Sequence, residues 1–425
     1  MLTGFYSRGA NDNALWFLII TSVYMVLSIY NSLGTLEDIQ VLGSRIYGIL
    51  LMPNITIIAM FILASVILES SNELDKININ SEEIHPFSKI MYFTVLGAFL
   101  AGPAGTVGSC MILLAGFGKT LMQDPRIPAR LVIGLILVIA TMGQLVPPAV
   151  LPIMINDVMT NTVQNFWFSK GVYEFDIAPS IDLMNALYAP SLIVLALIIG
   201  YVITQVQAPA PAKFAKDFFS LIKRNWLFIG GIVGLSTASI FNLINVYEFG
   251  MLFILLGLIV TFVNQQFCAG YAVKITHRTA AISGVVLTFL LIGNLIAFVF
   301  QLNGNYDAVI EYFDFNDLSA VQTHLIYIGH LLFLGMFVDP FEITYVFLPF
   351  TSNIMLMQGY DTVYIGALST LVMQVAYLTP PVGLGLFYLK ALFTDLKLKD
   401  IVVAAIPFVG IQVIGIILYI GIFAK

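Results

Sequence analysis

The stretch VAYLTPPVGLGLF, Val375–Phe387, sets two adjacent prolines and two glycines inside a long apolar run. Each proline removes a backbone donor and blocks the helical bond to the carbonyl four residues back. In hydrocarbon such irregular backbone is tolerated only where protein buries it or water reaches it. The stretch therefore predicts a helix that stops and restarts inside the molecule. A related stretch, MGQLVPPAVLP, stands at Met142–Pro152. One such pair is compatible with a simple kink. Two matched pairs, each following a glycine-rich break, favour a site.

Composition fixes the class around these breaks. The chain has 425 residues, 59% of them hydrophobic and only 10% charged. A soluble domain is about a quarter charged. The apolar runs are long and continuous, so the expectation is an all-α membrane protein and not a barrel of short alternating strands. Leu2–Asn13 is polar and no small-residue cleavage pattern follows Ala14–Tyr30, which is expected to be a retained first span. Cys110 and Cys268 lie far apart in apolar segments and offer neither a disulfide framework nor metal spacing. Basic clusters suited to nucleic acid are absent. No nucleophile triad, phosphate loop or metal cluster is present, and no enzymatic activity is expected.

The expected membrane segments are Ala14–Tyr30, Tyr47–Leu68, Ile90–Ala115, Leu131–Ile155, Leu183–Ile203, Leu227–Ile244, Met251–Phe267, Ala280–Phe300, Leu325–Met357, Val363–Leu392 and Ile401–Phe423. AGPAGTVGS (Ala101–Ser109) interrupts the third and GMFVDPFE (Gly335–Glu342) the ninth. Lysine and arginine mark the cytoplasmic side. The connector Gln207–Trp226 carries Lys213, Lys216, Lys223 and Arg224 and is placed inside, as is KITHR (Lys274–Arg278). Asn303–Thr323 has no basic residue and is placed outside, as are Thr162–Asp182 and the short turn holding Glu248. The basic stretches fall on one side only if Ile90–Ala115 and Leu325–Met357 are re-entrant hairpins. The N-terminus is then cytoplasmic and the C-terminus periplasmic.

The halves also resemble each other. Leu121-Met122-Gln123 and Leu356-Met357-Gln358 each lead through a polar link and a mid-segment glycine, Gly134 or Gly366, to Pro-Pro. The two methionine-to-proline spacings agree within two residues. The segments after the prolines run in opposite directions, the pattern of two inverted-topology repeats in a secondary transporter. The expected organisation is residues 1–206 as the first membrane half, 207–226 as a cytoplasmic linker and 227–425 as the second half. Asp339 and Glu342 are ionisable groups in the second hairpin tip, and intramembrane acids default to function. His324 and His330 are expected to be hydrogen-bonded packing residues and not ligands.

FVDPFEI, LTPPVGLGLFYLK and MGQLVPPAVLPI resemble the large, DctM-type membrane subunit of tripartite ATP-independent periplasmic (TRAP) transporters, nearest to the mannitol/chloroaromatic branch. GSRIYGIL (Gly43–Leu50), ILESSNELDKI (Ile67–Ile77) and His277–Phe300 extend the resemblance over most of the chain. It implies an elevator-type, sodium-coupled importer of small organic anions (carboxylates) in the bacterial inner membrane. It also implies two partners, a small four-helix membrane subunit and a periplasmic solute-binding protein, with sodium as coupling ion and no organic cofactor. The alternative is a binary secondary transporter or antiporter without a soluble partner; a non-transporting membrane subunit would leave the inverted repeat unexplained. The resemblance places cation-binding candidates at Gly105, Thr106, Ser109 and Gly143 in the first repeat. In the second it places them at Gly335, Asp339, Thr379, Pro380 and Gly383. Substrate-path candidates are Pro147, Pro148, Asn294, Glu342 and Pro381. The chain departs from the family pattern at Pro103–Gly108, at Ala149 where serine is usual, and at Asn245-Val246-Tyr247-Glu248, which keeps only the glutamate. Hydroxyls are thus missing on the first-repeat side and kept at Thr379 on the second.

Overall fold

The structure is a computed structural model. It describes residues 43–44, 46–48, 53–71, 84–102, 107–146, 149–169, 171, 180–224, 226–241, 243–267, 270–302, 318–338, 340–380 and 383–424. The expected first span Ala14–Tyr30, most of the acidic stretch Asn303–Thr323, and Gly105, Thr106, Pro147, Pro148, Asp339 and Pro381 lie outside these residues. So does most of Pro103–Gly108. Every regular element among the described residues is a helix, as the composition requires of an all-α polytopic membrane fold.

The first repeat begins with a helical hairpin, α2 (Pro86–Ala101) and α3 (Val107–Met122), after α1 (Pro53–Ser70). His85 caps α2, its Nδ1 accepting from the Phe87 N–H at 3.3 Å, and Pro86 takes the first position, where a missing donor costs nothing. Each 16-residue leg is about 24 Å long, short of the roughly 30 Å hydrocarbon core. Two legs of that length fit a re-entrant hairpin better than two full spans. The helix expected over Leu131–Ile155 divides into α4 (Ala129–Met142) and α5 (Val150–Ser169), and α6 (Ser180–Gln205) follows. The loop expected from Thr162 is corrected here: α5 continues to Ser169 because Thr160 and Thr162 bond back to carbonyls four residues earlier and so satisfy their hydroxyls within the helix.

The linker is no passive loop. Pro211–Arg224 forms α7, an amphipathic helix that lays Phe214, Asp217, Phe218 and Leu221 inward and keeps Lys213, Lys216 and Lys223 exposed. Phe214 meets Phe87 and Phe218 meets Tyr92, both edge-on. Asp217 Oδ2 accepts the His85 N–H at 3.0 Å. That carboxylate sits at the positive end of α2 and joins the connector to the foot of the first hairpin. The helices α8 (Trp226–Ile240), α9 (Val246–Val263) and α10 (Tyr271–Leu302) come next. The expected outside turn at Glu248 is instead the start of α9, where Asn245 and Glu248 form a reciprocal capping box. Lys274–Arg278, expected as a loop, lies within the 32-residue α10.

The second repeat opens with α11 (Ala320–Gly335), capped by Ser319 and Gln322. After the tip, α12 (Pro340–Glu342) runs through a π-helical segment, Ile343–Phe347, into α13 (Leu348–Met357). Glu342 therefore belongs to a helix start and not to the tip: Pro340, with its fixed φ, begins the helix two residues earlier. Then come α14 (Thr362–Leu378), α15 (Leu384–Leu392) and α16 (Leu398–Phe423).

Packing follows the repeat. α4 packs on α16 and α14 packs on α6; α3 packs on α15 and α13 packs on α5; α4 and α14 touch each other. Exchanging the repeats converts each of these contacts into its partner. α6 and α16 are both 26 residues long, and each carries one internal proline near the same point, Pro190 and Pro407. The two halves interlock through their broken helices. The core accordingly runs without interruption through α4 and α14, whose residues are almost all buried.

Candidate functional site

The second break begins at the C-terminal end of α14. Thr379 leaves the helix with φ −94° and ψ 127°, and its N–H still reaches the Ala376 carbonyl. Its hydroxyl donates to the Val375 carbonyl at 2.6 Å. Pro380 and Pro381 carry no N–H, so the carbonyls of Ala376 and Tyr377 cannot receive their ordinary helical bonds from those positions. Gly383 then adopts a left-handed φ of +45° and restarts the chain as α15. A Cβ there would lie 2.8 Å from the Thr379 carbonyl oxygen, so conformation and space both require glycine. The Gly383 N–H donates to the Met336 carbonyl at 3.1 Å. Met336 belongs to the second hairpin tip. Beside it, Gly335 approaches so closely that a Cβ would lie 2.5 Å from that of Ala376. The tip is therefore tied to both sides of the break.

The first break shows the same contact in another form. α4 ends at Met142, and the Gly143 N–H returns to the Ile139 carbonyl at 3.1 Å. A Cβ on Gly143 would lie 2.3 Å from the carbonyl oxygen of Ala101, the last residue of α2. Gly143 has right-handed φ −59°, so here glycine serves only the close approach. Pro147 and Pro148 deny helical bonds to the carbonyls of Gly143 and Gln144.

The structure thus brings Gly143 to the first hairpin, and Gly335, Thr379, Pro380 and Gly383 to one another. Ser109 lies in the first turn of α3, Asn294 in α10 and Glu342 in α12. His324 is a packing residue as expected: its Nδ1 meets the Ala320 carbonyl at 2.7 Å and its Nε2 the Tyr364 hydroxyl at 2.8 Å. The expectation of a hydrogen-bonded packing role fails for His330, which is exposed on α11.

Sequence reasoning passed over the buried carboxamides. Gln374 on α14 is 1% exposed, and neither its Nε2 nor its Oε1 has a partner. Gln144, inside the first break, and Gln412 on α16 are also buried, each with an unmatched Oε1. Glutamine within an apolar run, as in LVMQVAYL, was the available signal. A further polar cleft of about 470 Å³, lined by Lys89, Thr120, Gln123, Asp124 and Arg126, lies where α3 turns into α4 and away from both breaks. Among the described residues no group of three or more histidine, cysteine or acidic side chains is placed to hold a metal. The break offers hydroxyl and carbonyl oxygens, ligands that suit a hard monovalent cation.

The fold resembles that of the YdaH transporter of Alcanivorax borkumensis, with a TM-score of 0.66 at 12% identity, covering 96% of this chain and 98% of that one. In sequence, the ectoine TRAP transporter large permease TeaC of Halomonas elongata is 24% identical over 92% of this chain and 89% of its own length. The sialic acid TRAP transporter permease SiaT of Haemophilus influenzae is 33% identical over 18% of this chain, a match that spans 12% of that protein. The C4-dicarboxylate TRAP transporter large permease DctM of Vibrio cholerae is 29% identical over 23% of this chain and 21% of its own. The family model for the DctM component of tripartite ATP-independent periplasmic transporters matches residues 13–424, and the chain belongs to that family of multi-pass membrane transporters.

Proposed function

We propose that the chain is the membrane-embedded transport subunit of a sodium-coupled, tripartite importer of small organic anions. It receives solute from a periplasmic binding protein and works beside a small four-helix membrane subunit in the bacterial inner membrane. The observation that carries this reading is the tip-to-break contact made in both repeats, Ala101 against Gly143 and Met336 against Gly383. Such paired discontinuities bring carbonyl-rich helix ends and helix N-termini together inside the bilayer, where cations and anionic groups are held by opposite ends of half-helices.

The second break suits sodium best. The Thr379 hydroxyl spends its proton on Val375, so its lone pairs remain available to a cation. The N-terminal end of α15 faces an anion favourably. Because each tip is fastened to its own break, tip and break are expected to move as one body in an elevator step.

In vesicles reconstituted with the partner subunit and binding protein, Thr379→Ala should remove the dependence of uptake on an inward sodium gradient. Uptake by that variant that stays as strongly sodium-driven as the parent's would refute the assignment. Full uptake with the binding protein omitted would favour a binary transporter instead.

A further inference from the structure

The connector helix α7 keeps one face open among the described residues. Its axis meets that of α8 at 92°. α8 is apolar and carries no charged residue, which suits a membrane-crossing direction. A helix at right angles to a membrane-crossing one lies along the bilayer surface. Phe214 and Phe218 hold α7 sideways against Phe87 and Tyr92, in the first two turns of α2. The opposite face of α7 is therefore turned away from the hairpin.

That outer face has a distinct composition. Lys213, Lys216, Phe219 and Lys223 follow one another at three- and four-residue steps, so they form one stripe, and all four are exposed. The three lysines form no ion pair among the described residues. The only acid of the helix, Asp217, is buried on the inner side. Phe219 is 68% exposed between the lysines, and Trp226, the first residue of α8, is 67% exposed. Unpaired ammonium groups call for anions, and an exposed phenylalanine ring calls for hydrocarbon. The headgroup level of a bilayer supplies both, and tryptophan is enriched at the same level. We propose that the outer face of α7 is a binding site for anionic phospholipid. Lys213, Lys216 and Lys223 take the headgroup phosphates, and Phe219 enters between the acyl chains. Because Asp217 holds the His85 N–H from the inner face, the lipid fastens the foot of the first hairpin to the leaflet. The site depends neither on sodium coupling nor on the solute.

The test uses the full chain in phosphatidylcholine vesicles containing phosphatidylglycerol. Trp16→Phe and Trp167→Phe leave Trp226 as the single tryptophan, and brominated acyl chains quench its fluorescence on contact. Brominated phosphatidylglycerol should quench Trp226 more strongly than brominated phosphatidylcholine at equal mole fraction, and added salt should reduce the difference. Each of Lys213→Gln, Lys216→Gln and Lys223→Gln should lower the relative affinity for phosphatidylglycerol about fivefold, and the three together should abolish the preference. Lys397→Gln with Lys399→Gln, at exposed lysines where α16 begins, should leave it intact. Equal quenching by the two lipids, or a preference that survives the triple variant, would overturn the site. So would loss of the preference in the Lys397→Gln, Lys399→Gln variant, since surface charge in general would then be responsible. Absence of quenching by either lipid would mean that protein covers this face, and would overturn it too. A triple variant that melts below the parent in phosphatidylcholine alone would show the lysines acting on packing, with the same consequence.

Discussion

Asp124 shows how much one side chain fastens at the foot of the first hairpin. Its carboxylate takes Arg126 through Nε and Nη2, both at 2.8 Å, and Lys89 Nζ at 3.1 Å. Arg126 is half exposed, whereas the side chains of Lys89 and Asp124 are nearly buried. The forked Arg126, and then Lys89, hold the Asp124 carboxyl well below the usual carboxylate range. A carboxyl depressed in the folded state adds stability that is fully present above its unfolded value, about 3.9, and is lost as pH falls below it. The contribution should therefore be constant through neutral pH and disappear only in acid. Asp124→Ala would strand the Lys89 ammonium, which is 4% exposed. Removing one member of a buried pair costs about 3–5 kcal/mol, and the exposed Arg126 adds little to that. Thermal denaturation of the variant should show a loss of this size at neutral pH that narrows toward pH 3. A loss that persists unchanged in acid would mean that Asp124 acts through packing and not through charge.

At the scale of elements, the two breaks differ in what their glycines do. Gly383→Ala places a side chain in left-handed backbone, at about 1–2 kcal/mol, and sets its Cβ against the Thr379 carbonyl. Gly143→Ala meets no backbone penalty but drives into the Ala101 carbonyl. The first variant should lose stability and sodium response together, because Thr379 and the Met336 bond share that turn. The second should displace the first hairpin and leave the sodium response of the second break in place. Sodium titration of melting temperature separates the two; identical behaviour would show that the breaks form a single unit. The breaks, and the hairpins before them, were legible in the sequence because proline and glycine act locally. The π-helical segment Ile343–Phe347 was not legible, since only the packing of α5, α10, α11 and α13 around it selects that wider turn. The same limit hid α7. Its basic residues were visible, but the bond from Asp217 to the His85 N–H joins positions far apart in sequence.

For the whole molecule, the exchange symmetry of the contacts is the strongest constraint on how the chain sits in a membrane. Gln123 and Gln358 occupy matched places in the two Leu-Met-Gln motifs, and both are exposed at the ends of their hairpins. Gln123 lies beside Arg126 and Arg130, whereas the corresponding stretch after Gln358 holds Asp361, which caps α14 by accepting from the Val363 and Tyr364 N–H groups. Basic residues stay cytoplasmic, so the two equivalent turns should lie on opposite sides of the bilayer. Cysteines placed at Gln123 and Gln358, one at a time in a chain with Cys110 and Cys268 replaced by serine, give a direct measure. An impermeant thiol reagent should label Gln123→Cys only in inside-out vesicles and Gln358→Cys only in right-side-out vesicles. Labelling of both from one side would make the repeats parallel. The carbonyl ends of α4 and α14 would then point the same way through the membrane, and the pairing of α3 with α15 and of α13 with α5 would have to arise without a two-fold axis in the membrane plane. Opposite labelling places the two breaks back to back, so that the helix end offering oxygens to a cation in one repeat lies beside the helix start that attracts an anion in the other.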